Sequence, residues 1–97
     1  MRDALTQIID LLEQNAYEFA DHALDRMAEY DLDEEEVLSA IEEGFIDKKQ
    51  RDNTGEARWV YTILGESDTG RGIYVAGKIM EGVFRVFRII SAKEDEG

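Results

Sequence analysis

DEEEVLSAIEEGFIDKKQR, residues Asp33 to Arg51, contains the point where the chain changes its period. Up to Gly44 the apolar residues Val37, Leu38 and Ile41 recur at helical spacing. Beyond it the pattern becomes a strand's alternation. Asp33 and Glu36 stand three apart, the spacing of a capping box. Glu34, Glu35 and Glu36 suit the positive end of a helix dipole. Gly44 suits the position just past a helix end, and FIDKKQR reads as an edge strand whose charges discourage aggregation.

On the N-terminal side, ALTQIIDLLEQ places Leu5, Ile8, Ile9 and Leu12 on one helical stripe, with Asp3 as N-cap and Asn15 as terminator. YEF reads as a short extended entry to the next helix. DHALDRMAEYD then presents Ala23, Leu24, Met27 and Ala28 on one face. On the C-terminal side, DNTGE is a turn, ARWVYTILG and IYVAGKIM are strands, EG is a hairpin connection, and VFRVFRIIS is the last strand. Helices followed by strands predict an α+β fold: three N-terminal helices, then a four-stranded, mainly antiparallel sheet covered by helices on one face. The 97 residues form a single expected domain, with an extra N-terminal helix over 3–14 and a frayed tail over 92–97.

The net charge of −12 is unevenly spread. Residues 1–44 hold 14 acids and 2 bases, whereas residues 45–93 hold 6 acids and 9 bases. An acidic half is thus joined to a mildly basic one. With no cysteine and one histidine, a disulfide framework and a structural zinc site are excluded, and no cofactor is expected. The N-terminal stretch is interrupted by acids and amides, which argues against a signal peptide or membrane span and for a cytoplasmic location.

His22, the one histidine, and Arg26 are four apart and share a helix face. The plain reading is a solvated face. The functional one is a proton shuttle beside a phosphate clamp. Arg85 and Arg88 have an odd separation, so they point to opposite sides of a strand, and Arg58 is expected near the open sheet face. DTGRG, Asp68 to Gly72, lacks the strand-then-helix setting of a phosphate loop and reads as a hairpin. Trp59, Tyr61, Tyr74, Phe84 and Phe87 would suit base stacking on a sheet, but core packing is the simpler account. DEEE lacks the ligand spacing of a calcium loop.

DHALDRMAEYDLDEEEVLSAIEEG, followed by RWVYTILG and GRGIYVAG, resembles the bacterial family catalogued as domain of unknown function 4258. The likeness runs over about residues 19–91, leaving the first helix outside. His22, Ala23, Leu24, Arg26 and Met27 match its H-A-L-x-R-M pattern, and Gly65, Gly70 and Arg71 match more loosely. The chain has Tyr30-Asp31 where that family usually has Arg-Gly. The ending FRIISAK is similar to the R-I-I-S-A-R of BrnT-type toxins, which are related to RelE-like ribonucleases. This resemblance implies a toxin-like fold, RNA as substrate, a protein antitoxin as partner, and metal-independent cleavage. It would make His22 the base or acid, with Arg88 in the catalytic site. Arg88, Arg26 and Lys93 would hold phosphate. Arg58 and Arg85, placed by strand alternation rather than by the resemblance, are the further candidate substrate contacts.

Two readings therefore stand side by side. One is a toxin-like endoribonuclease. The other is a non-catalytic acidic interaction module that docks a basic partner or pairs with a second copy through the N-terminal helix.

Overall fold

The computed structural model describes residues 3–95. Helix α1 (Ala4–Glu13) starts at the expected cap, where the Thr6 N–H donates to Asp3 Oδ1 at 2.8 Å. It ends before Asn15, whose φ of 59° stops the helix in the left-handed region. Strand β1 (Tyr17–Phe19) and helix α2 (Asp21–Glu29) follow. Helix α3 (Glu34–Glu42) begins with the full reciprocal capping box of Asp33 and Glu36. Then come β2 (Phe45–Arg51), β3 (Trp59–Glu66), β4 (Gly72–Met80) and β5 (Val86–Glu94).

The sheet order is β1-β5-β4-β3-β2. Strand β1 is parallel to β5 and every other pairing is antiparallel. The expected four-stranded sheet following three helices is therefore corrected to a five-stranded mixed sheet, with one strand lodged between the first two helices. Three residues are too few for alternation to register as a strand. The pairing that makes YEF a strand joins Glu18 to Arg88, 70 positions away. The last strand is also displaced. Val83, Phe84 and Arg85 belong to the β4–β5 connection, with the first two 95% and 82% exposed, and pairing starts at Val86. At its other end β5 runs to Glu94, into the stretch expected to fray, and the Asp95 N–H donates to the Gly72 carbonyl at 2.8 Å.

All three helices cover one sheet face. Ile8 of α1, Ala23 and Met27 of α2, and Val37, Ala40 and Ile41 of α3 pack with Ile63, Ile73, Val75, Phe87 and Ile89 of the sheet. Each large aliphatic or aromatic side chain buried there contributes about 1.5–3 kcal/mol of transfer free energy. Helix α3 lies almost directly on β3. A Cβ on Gly65 would fall 1.8 Å from the Ala40 carbonyl oxygen, and one on Gly44 would fall 2.6 Å from it. Gly44 is thus needed for close approach rather than for a left-handed turn, since its φ is not positive.

Candidate functional site

The opposite sheet face carries the polar groups. Strand β5 should alternate strictly, yet Gly77 pairs with Ile89 while Ala76 pairs with Ser91, so Ile90 is an extra residue. This bulge resets the alternation. Phe87, Ile89 and Ala92 all enter the core. Arg88, Ser91 and Lys93 stand opposite Lys78, Ala76 and Tyr74 on the open face. The matching irregularity in β2 leaves Asp47 unpaired and sets Lys48 opposite Thr62. Together these residues bound a cavity of about 440 Å³ lined by Lys48, Thr62, Tyr74, Ser91 and Lys93, with Asp47 as its one carboxylate. Two ammonium groups, three hydroxyls and a carboxylate around one depression can hold an anion and exchange protons with it.

Beside the cavity the β2–β3 turn folds over the face. The Asp52 carboxylate accepts from the Thr54 N–H at 3.1 Å and the Ala57 N–H at 2.9 Å. Lys78, only 4% exposed, donates to Asp52 Oδ2 at 3.1 Å and to Glu56 Oε1 at 2.7 Å. Glu56, and then Asp52, hold the Lys78 ammonium above the usual lysine range against the effect of burial. Burial opposes the charged form of Asp52. Hydrogen bonds from Thr54, the Ala57 N–H and Lys78 outweigh it, and the carboxyl lies well below the usual range. Arg88 completes the cluster, bonding Glu18 at 3.1 Å and lying 3.8 Å from Glu56.

The residues singled out in the sequence fall into three places. Arg88 and Lys93 share the open face, with Ser91 between them. His22 and Arg26 are on α2, in the helix layer across the sheet from the cavity. His22 is exposed and has no hydrogen bond or ion pair among the described residues, while Arg26 pairs with Glu29 at 3.3 Å and lies 5.7 Å from the Tyr30 ring. Arg58 and Arg85 meet elsewhere, lining a separate 270 Å³ cavity with Trp59 and Tyr61 on the helix side. Arg58 was expected near the open face. It precedes the first paired residue of β3, so strand alternation does not govern it. Arg85 bonds Glu81 at 2.9 Å and Gln7 at 3.0 Å. The five aromatics form no common platform: Trp59, Tyr61 and Phe87 lie on the helix side, Tyr74 on the open side, and Phe84 in a loop.

The sequence alone does not single out Lys48 or Lys78, and it offers Tyr74 only as one of five aromatics. Tyr74 was legible from its alternation with Ile73 and Val75. Nothing next to Lys78 in the sequence marks it, because its carboxylates, Asp52 and Glu56, come from a turn 26 and 22 positions away. Arg71 of DTGRG, matched loosely to the family pattern, has a role that the sequence does not show. Its guanidinium donates to the Asp31 carbonyl at 2.9 Å and the Tyr30 carbonyl at 2.6 Å, and forms ion pairs with Glu36 and Glu94. It ties the β3–β4 hairpin to the junction between α2 and α3. The Thr69 hydroxyl, first, and the Asp33 N–H and Arg71 hold the Glu36 carboxyl below its usual range against burial.

The molecule is an α+β domain with a helix-covered mixed sheet and a polar open face. Its residues 19–92 match the family model described as Domain of unknown function (DUF4258), and the chain belongs to that family. No curated protein matches it. Asp31, just past α2, adopts φ 55°, a backbone conformation glycine takes without cost. No helix among the described residues is long and apolar enough to cross a membrane.

Proposed function

We propose that this chain is a toxin-like protein that binds single-stranded RNA on its open sheet face and cleaves it there. One observation carries the reading. The bulge at Ile90 turns Arg88, Ser91 and Lys93, the residues that carry the toxin resemblance, toward the same face, two of them into the cavity. Lys48 and Lys93 are suited to the phosphate oxygens, which gain charge as the 2′-OH attacks its own phosphorus. Asp47 takes the proton released by the 2′-OH. The Tyr74 hydroxyl or the Lys93 ammonium returns one to the departing 5′-oxygen, leaving a 2′,3′-cyclic phosphate and a 5′-OH. His22 stands across the sheet from these groups and is assigned no step.

The test is cleavage of an end-labelled single-stranded RNA in EDTA, with the product termini identified. Lys93→Ala is expected to lower the rate on the order of 100-fold, the typical effect of losing one charge-stabilising group. His22→Ala is expected to leave it unchanged. Loss of activity in His22→Ala at full stability would move the chemistry to the helix layer. Absence of cleavage by the parent at low salt would remove the catalytic part of the reading.

Val83 and Phe84 favour a second reading for a different surface. These adjacent exposed apolar residues flank a groove of about 630 Å³ beside the C-terminal half of α1. A patch of this kind suits pairing of two copies through the α1 side. Sedimentation should show a dimer that Phe84→Ser dissociates, and a monomer at high concentration would exclude it.

A further inference from the structure

Eleven lysines and arginines serve a chain with 23 acids, so a cation left without an acid is uncommon. Arg26, Arg71, Lys78, Arg85 and Arg88 each have a carboxylate partner. Among the described residues Lys48, Lys49, Arg51, Arg58 and Lys93 have none. Four of these five lie on β2 and the turn into β3, which form one margin of the sheet.

Neighbouring residues on a strand face opposite ways, so this margin is cationic on both sides. Lys48 opens on the cavity with Lys93. Lys49 and Arg51 pair in register with Tyr61 and Trp59 and lie on the helix side, beyond the helices. There Lys49 Nζ is 4.4 Å and the Arg51 guanidinium 5.5 Å from the centre of the Trp59 ring, and Arg58 lines the adjoining 270 Å³ cavity with the same ring. Cations stacked on an indole and lacking acids are held by the ring alone. A planar base can replace Lys49 on the ring while the freed ammonium takes the phosphate next to it.

Resting on the reading that the open face takes RNA, we infer that Trp59, with Lys49, Arg51 and Arg58, forms a second subsite. It stacks one base of a single-stranded nucleic acid whose backbone passes around the β2 edge from the Lys48–Lys93 cavity. An acidic protein segment would use the cations but has no need of the half-buried ring, one face of which carries Lys49.

Trp59 is the only tryptophan in the chain, so its fluorescence reports on this subsite alone. The full chain is titrated with a short oligouridylate and, separately, with inorganic polyphosphate of similar charge. Binding is followed in parallel by polarisation of a labelled oligouridylate. The expected result is quenching by oligouridylate and not by polyphosphate. Lys49→Ala/Arg51→Ala, exposed on an edge strand, should bind more weakly, and the slope of log affinity against log salt should flatten by about 1.4. Equal response to polyphosphate would overturn the stacking subsite in favour of a plain anion patch. Polarisation that shows binding sensitive to Lys93→Ala, with Trp59 silent, would overturn the subsite and leave the open-face reading standing. No binding in either channel would overturn both.

Discussion

Asp31 and Lys78 show how far single residues are constrained. Asp31 ends α2 with φ 55°, and its carbonyl, not its side chain, is what Arg71 uses. Asp31→Gly should therefore raise stability by up to about 1 kcal/mol, because the left-handed strain is relieved and the hydrogen bond kept. A higher urea midpoint at unchanged slope would verify it. Lys78 is different, since its burial depends on Asp52 and Glu56. Removing the acid at Asp52 leaves a buried charge short of a partner, whereas Lys78→Met removes the charge itself. Asp52→Ala should lower the urea midpoint more than Lys78→Met does. The pH dependence follows from the same groups. Asp52, Glu56 and Glu36 all titrate below their ordinary values in the folded protein, so their contribution is complete above the unfolded carboxylate range. It is lost as pH falls below about 4. Lys78 is raised, so its contribution is present below about pH 10.4 and lost as pH rises through its folded value. Denaturation curves should fall off at both ends, with Asp52→Asn flattening the acid side.

At the scale of elements, β5 decides which residues meet. Its bulge means that Ile90 can be removed without exchanging the faces of Arg88, Ser91 and Lys93. Deleting Ile90 should then cost less stability than Ile89→Ala, for which about 2–5 kcal/mol is expected from a fully buried isoleucine. Paired urea denaturations of the two variants compare them. Gly65→Ala tests the α3–β3 contact, since the added methyl meets the Ala40 carbonyl and one layer must move. It should destabilise by at least 1–3 kcal/mol, roughly the range for overpacking. These elements also show what was legible in advance. The caps at Asp3 and Asp33 follow from local spacing and stand in the structure as read, and of the apolar face read on α3, Val37 and Ile41 are buried while Leu38 is only partly so and Ala40 takes its place. Strand β1 and the bulges do not, because both are created by pairing with distant residues. The open-face cavity was hidden for that reason: strict alternation cannot place Arg88 and Ser91 on one side. The 83–85 segment failed in the opposite direction. Its alternation continues the strand pattern, but no partner strand reaches it.

At the scale of the whole molecule, the helices and the sheet carry different electrostatics. Residues 1–44 hold the entire net charge of −12, while the open face and β2 margin gather the cations that lack acids. A polyanion would be repelled by the helix layer and accepted on the sheet, so the protein's own charge selects the approach. Binding on that face should weaken steeply with salt, falling with a slope of roughly 0.7 per phosphate contacted. In the proposed function the open face, not the helix carrying His22, takes RNA. Amide chemical-shift mapping of the isotopically labelled chain during titration with oligouridylate tests it most directly. Shifts concentrated at Lys48, Thr62, Tyr74, Ser91 and Lys93 are expected. Shifts centred on His22 and Arg26 with the sheet unmoved would contradict it.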